Sequence, residues 1–239
     1  MNTVRPEVSK VAIVTGASRG IGAGTAAAFR AAGYAVVATA RSIQSGDEHD
    51  QVTVQGDISE AETAQRVVDQ ALDRFGRIDT LVNNAGVYIG KPFTDYTLDD
   101  FNVMTAVNLA GFFHITQRAL RQMVDQGSGH VVNVSTSLVD HARSGSPSAL
   151  ASLTKGGLDA VTRSLAIGYA ARGIRVNAVA LGVIRTTVDP TAYHDVAAVH
   201  PLGRLGEISD VVDGILYLDR ATFVTGETLH IDGGQAAGH

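Results

Sequence analysis

The chain has 239 residues, no cysteine, and 24 acidic against 19 basic residues, for a net charge of −5. Without cysteine there are no disulfides, thiolate metal sites or cysteine nucleophiles, and scattered basic residues under a negative balance argue against a nucleic-acid partner. Charged residues make up only 18% and apolar ones 45%, a balance that suits burial of surface between subunits; no apolar run is long enough to span a bilayer and the N-terminus has no leader pattern, so a cytoplasmic, membrane-free protein is expected.

The first predicted element is a buried strand, Val11 to Thr15. It runs directly into Gly16-Ala17-Ser18-Arg19-Gly20-Ile21-Gly22, three glycines where a strand turns into a helix. Gly16 suits the tight turn, Gly20 lets the backbone approach a pyrophosphate, and Gly22 permits close packing of helix on strand, with the helix N-terminus attracting the anion. An alanine-rich helix, Ile21 to Ala32, follows, and Gly33 ends it before a second strand, Tyr34 to Thr39.

The residue ending that strand discriminates between two dinucleotides. An acid there would bond the adenosine ribose hydroxyls and repel a 2′-phosphate; this chain has Ala40 and then Arg41. Arg41, with Arg19 in the glycine turn, offers charge-assisted bonds to a phosphate, so NADP is the expected cofactor rather than NAD. Either arginine alone is equally readable as a solvated loop residue. The ten residues Arg41 to Asp50 are too few for a crossover helix and read as an irregular loop. A third strand, Val52 to Gln55, leads to Asp57 and Ile58, where Asp57 either caps the next helix, Ala61 to Phe75, or contacts the adenine amine.

Strands at Thr80 to Asn83, His130 to Ser135, Arg175 to Val179 and Thr228 to Ile231 complete a set of seven. Between them lie a long helix, Leu98 to Val124, a helix capped at Ser146-Pro147 and running to about Arg172, and a helix from Ile208 to Asp219. This alternation predicts a doubly wound α/β (Rossmann) fold: a seven-stranded, mainly parallel sheet with helices on both faces, in one domain spanning residues 1–239.

With these residues in place the chain resembles the short-chain dehydrogenase/reductase family over nearly its whole length. The resemblance rests on Thr15 to Gly22, Asn83-Asn84-Ala85-Gly86, Asn108, the Ser/Thr cluster at the fifth predicted strand's end, Lys155, Arg175-Val176-Asn177-Ala178-Val179, Gly182 with Thr186, and Thr225-Gly226-Glu227-Thr228 leading to Asp232-Gly233-Gly234. It implies that Gly16, Ser18, Arg19, Gly20, Ile21, Gly22, Arg41, Asp57, Ile58, Asn84, Ala85, Gly86, Lys155, Gly182 and Thr186 line the cofactor site. It also implies a carbonyl or alcohol substrate, a variable substrate loop at 186–205, and a homotetramer, alone or mixed with a paralogue.

One position departs from that pattern. The family's acid is a tyrosine four residues before the lysine, one helical turn away, and Ala151 stands there instead. A methyl group donates no proton, and losing a positioned acid commonly costs about 10²- to 10⁴-fold in rate. The family's serine falls on Thr136 or Ser137, either of which supplies a hydroxyl to polarise a carbonyl. Asn108 holds a water or a helix distortion, or else bonds its own backbone. His141, whose imidazole titrates near neutrality, and Tyr193 are the candidate replacement donors, with Tyr88 behind them; His141 is also readable as a surface residue clustered with Asp140 and Arg143. Two functions stay open: an NADP(H)-dependent oxidoreductase acting on a small carbonyl, alcohol or imine with a non-standard proton donor, or a non-catalytic NADP-binding sensor or subunit. A dehalogenating lyase on this fold does not match, because position 155 is lysine rather than arginine and the glycine turn is intact.

Overall fold

The structure, a computed structural model, describes residues 10–186 and 200–238. Eight strands form one sheet: β1 (Val11–Thr15), β2 (Ala35–Ala40), β3 (Gly46–Asp47), β4 (Gln51–Gln55), β5 (Thr80–Asn83), β6 (Gly129–Thr136), β7 (Ile174–Leu181) and β8 (Thr228–Ile231), ordered β3-β4-β2-β1-β5-β6-β7-β8. All pairings are parallel except β3 on β4. The extra strand corrects the expected seven. It arises inside the segment read as an irregular loop, where Gly46 and Asp47 pair with Thr53 and Val52 and blunt an otherwise open edge.

Strands β1 and β2 are buried along both faces and rich in Val, Ile and Ala, as a parallel sheet covered on both sides requires. Helices α2 (Ala61–Phe75), α4 (Phe112–Gln126) and α5 (Ala149–Tyr169) pack on one face around Ile13, Leu81, Ile115 and Val176. On the other, α1 (Gly20–Ala31) and α6 (Ile208–Arg220) pack around Val14, Phe29, Val36 and Ile215. The chain leaves β1 toward β2 and β4 on one side and returns at β5 to build the other, so the strand order reverses between β1 and β5. Ligands of such folds bind outside the carboxyl ends of the strands at that reversal.

Two helices differ from expectation. The stretch read as one helix from Leu98 is α3 (Leu98–Thr105), a π-helical segment at Ala106–Gly111, and then α4. The last long helix begins at Ala149 rather than at Ser146-Pro147, has Ser148 at its N-cap position without a side-chain bond, and ends at Tyr169 before a 3-10 turn, Ala170–Arg172. Among the described residues no helix is long and apolar enough to cross a membrane.

Candidate active site

The strand ends at the reversal open into a cleft of about 840 Å³. Its floor is the turn after β1. Thr15 Oγ1 accepts the backbone N–H groups of Asn84 and Ala85 at 3.1 and 3.0 Å, and Asn84 Nδ2 donates to the carbonyls of Thr15 and Gly16 at 2.9 and 3.2 Å. These four bonds tie the β5 end to the glycine turn and leave no room for a side chain at Gly22: a Cβ there would lie 2.2 Å from Gly16 O and 2.5 Å from Asn84 Nδ2. Ala85 and Ser18 belong to this frame but do not line the cleft, whereas Gly16, Arg19, Gly20, Ile21, Gly22, Asn84 and Gly86 do. Ser18 Oγ instead accepts a bond from Ser42.

Arg41 and Asp57 stand apart from the cleft lining, facing each other at 4.0 Å with Arg41 71% exposed. Asp57 does not cap α2. Its Oδ1 accepts the N–H and hydroxyl of Ser59, an Asx turn that closes locally, and Glu60 takes the N-cap position without a side-chain bond. Ile58 is buried, its Cγ2 close against Gly111.

The opposite wall comes from the ends of β6 and β7 and the start of α5, with Thr136, Ser137, Ala151, Lys155, Gly182 and Thr186 all lining the cleft. Ser137 is fully buried and donates to Leu181 O at 3.1 Å; Thr136 is half-buried, donates to the same carbonyl at 3.4 Å and accepts Leu138 N–H. Lys155 Nζ donates to Val134 O at 2.7 Å, and burial pushes its ammonium down to about 8, against a partial opposing pull from Asp159 one turn on. Asp159 itself is buried, and desolvation raises its pKa against a smaller opposing pull from the Ser135 hydroxyl.

Asn108 lies in the π segment, 1% exposed. Its Oδ1 accepts Val87 N–H at 2.9 Å, and its Nδ2 donates to Val87 O at 3.0 Å and to Thr154 Oγ1 at 3.1 Å. It therefore does not bond its own helix; the extra residue in the turn aims it across at the chain leaving Gly86. That chain passes so close that a Cβ on Gly86 would sit 2.9 Å from Lys155 Nζ and 3.3 Å from Asn108 Oδ1.

Of the replacement donors, His141 does not line the cleft, and the Asp140 expected beside it pairs with His230 at 2.9 Å. Tyr88 does line it, but its hydroxyl donates to Pro147 O and burial raises its pKa. Tyr193 and most of the 186–205 loop lie outside the described residues. Several motif residues serve the frame instead. The Arg175 guanidinium donates to the Leu218, Asp219, Ala221 and Val224 carbonyls at the end of α6, and Asp232 accepts the Gly234 and Ala236 N–H groups. Arg143 and Gln235 also line the cleft. Sequence spacing gave no sign of either, because a loop and a C-terminal turn bring them there.

Fold and cleft together define a doubly wound α/β protein with a glycine-floored cleft of the dinucleotide-binding class. Comparison with known proteins narrows this. A family model described as enoyl-(acyl carrier protein) reductase matches residues 16–236. Glucose 1-dehydrogenase of Gluconobacter oxydans is 36% identical across 94% of this chain and 91% of its own length. Among solved structures, ElxO with NADP bound matches with a TM-score of 0.89 at 30% identity, over 96% of this chain and 100% of that one. A tyrosine-to-phenylalanine variant of ElxO with NADPH bound matches with the same score and identity. The chain belongs to the short-chain dehydrogenase/reductase family.

Proposed function

We propose that the protein is an NADP(H)-dependent oxidoreductase that acts on a small carbonyl, alcohol or imine substrate without the tyrosine acid of its family. The observation that carries the reading is that one cleft joins the glycine turn to Lys155 and the hydroxyls of Thr136 and Ser137, while Ala151 occupies the acid's position. The cradle fits the cofactor: glycines stand where any Cβ would fill the floor, and ElxO, an NADP-bound neighbour, shares the fold. Arg19 and Arg41 are assigned to the 2′-phosphate, which requires Arg41 to turn from Asp57.

When bound, the cofactor supplies or accepts a hydride at its nicotinamide ring. The chain does the rest. Asn84, Gly86, Gly182 and Thr186 position the nicotinamide end, and Lys155 donors hold its ribose. A hydroxyl at Thr136 or Ser137 turns from Leu181 O to polarise the substrate carbonyl. Among the described residues that line the cleft, Lys155 is brought to about 8, so its ammonium is assigned as the proton source, and a substrate that binds already protonated, such as an iminium, needs least from it. Asn108 fixes the Val87 backbone behind this site. Exposed Phe113, Leu153 and Ile167 on α4 and α5 support a homotetramer built on those helices.

A second reading is a non-catalytic NADP-binding protein. It is favoured by Ala151 and by the ElxO variant, which holds NADPH with a tyrosine hydroxyl removed. Transfer of deuterium from stereospecifically labelled NADPH to a panel of ketones, aldehydes and imines separates the two. Labelled product supports the oxidoreductase; tight NADPH binding with no labelled product from any member supports the sensor or subunit.

A further inference from the structure

The cleft carries cations and no acids. Arg19, Arg143 and Lys155 line it, and no aspartate or glutamate does among the described residues. Two of these cations are accounted for by the proposed cofactor, Arg19 at the glycine floor and Lys155 beneath the reacting end. Arg143 is not. It sits on the loop between β6 and α5, with Leu138, Gly145 and Ser146, on the side of the cleft where Ala151 and Tyr88 lie.

Several other arginines meet an acid. Arg30 meets Glu48 and Asp50, Arg74 meets Asp47, Arg77 meets Asp79, Arg185 meets Glu207, and Arg204 meets Asp210. Arg143 is half-buried and has neither an ion pair nor a side-chain hydrogen bond among the described residues. The nearest acid in sequence, Asp140, is engaged by His230. The Arg143 charge is felt at His200, whose pKa burial lowers, with Asp232 opposing and Arg143 adding a smaller push in the same direction as burial; His200 Nε2 accepts Val183 N–H at 3.0 Å and packs beneath Gly182. The loop that carries the guanidinium is braced at its base, since the Arg143 carbonyl accepts Ser146 N–H at 3.1 Å and Ser152 Oγ donates to Leu138 O at 3.2 Å.

A guanidinium partly withdrawn from water needs an anion, and a fixed one facing a cleft without acids selects its ligand by charge. We infer that Arg143 binds a carboxylate of the substrate, so that the protein acts on oxo acids or hydroxy acids whose reacting carbon lies at Thr136, Ser137 and Lys155. A single planar fork matches a carboxylate in two parallel bonds. The Ala151 position serves the same selection. It leaves space beside Lys155 for a substrate that enters with its acid group directed at the loop. The inference rests on the oxidoreductase reading for its turnover arm and on binding alone for the other.

The test compares pyruvate, acetoacetate and levulinate with their methyl esters, as substrates with NADPH and as ligands of the NADP⁺ complex by thermal shift. The graded chain lengths report the distance from the reacting carbon to the guanidinium. One acid is expected to exceed its ester in kcat/KM by about 10- to 100-fold, the yield of a charge-assisted pair. R143Q is expected to bring that ratio toward one through KM, and R143K to restore part of it. Equal kinetics for every acid and ester, or a ratio that survives R143Q, overturns the inference. If nothing turns over, the oxidoreductase reading fails by itself. Carboxylate-specific thermal stabilisation that R143Q removes then upholds the Arg143 site, and its absence overturns it.

Discussion

At one end of the cleft the turn from Thr15 to Gly22 is made of backbone. Its shape is held by Thr15 and Asn84 through five hydrogen bonds, and a Cβ on Gly16 or Gly22 would lie 2.9 Å or less from its nearest neighbours. At the other end the groups that would do chemistry are side chains on three elements, each with its own local anchor: Thr136 and Ser137 on Leu181 O, Lys155 on Val134 O, and a methyl at Ala151. Binding in this fold is therefore redundant and distributed, while proton transfer hangs on a few atoms. One substitution can silence the second half and leave the first intact.

The sharpest way to probe that asymmetry is to place a phenol at position 151, where the proposed reading expects the acid. If the chemical half is otherwise preformed, Ala151→Tyr should raise ketone reduction by about 10²- to 10⁴-fold, the usual worth of a positioned acid. NADPH affinity should hold, as measured by fluorescence titration beside the rate. No gain in rate would mean that the neighbouring side chains have also moved away from carbonyl chemistry.

The converse change attacks the binding half. Gly22→Ala places a methyl 2.2 Å from Gly16 O and 2.5 Å from Asn84 Nδ2, which is itself held by the Thr15 and Gly16 carbonyls. Overpacking of this kind costs about 1–3 kcal/mol, which at the upper end lowers NADPH affinity about 100-fold. The melting temperature should fall with it. An unchanged dissociation constant would show that the turn is more pliant than its contacts imply.

Asn108 connects the halves. Asn108→Ala strips the Val87 N–H and C=O of their partners, and leaving these partly buried backbone groups unpaired should destabilise the fold by about 1–3 kcal/mol in urea titration. The loss should exceed that of Thr154→Val, which removes only one of Asn108's bonds.

How much of this was legible in the chain follows the same division. The glycine turn, the sheet and the Lys155 helix were readable because glycine spacing and apolar periodicity are local signals. Asn108 was readable as the site of a helix distortion, which the π segment bears out, but not in its partners, since the Val87 backbone it bonds comes from another loop. The edge strand β3 escaped because two residues carry no periodicity. Asp57 misled because an Asx turn and a helix cap share one residue preference. Arg143 in the cleft and Asp159 beneath Lys155 were not legible at all, for both are placed by tertiary packing.

Lys155 belongs to both halves and gives the finest test. Burial holds its ammonium at about 8 in the free protein, below the ordinary lysine value of 10.5. Below pH 8 the folded protein carries the charge that, on the proposed reading, bonds the nicotinamide ribose; above it that charge is lost. NADPH affinity should therefore decline by up to about tenfold per pH unit above pH 8, and the decline should vanish in Lys155→Met. Stability runs the other way. Between about 8 and 10.5 the unfolded chain keeps a proton the folded one has released, so the stability of the cofactor-free protein should rise with pH across that window. Opposite slopes for binding and stability, both removed by one substitution, would identify Lys155 as their common origin, whereas parallel slopes would place the titrating group elsewhere.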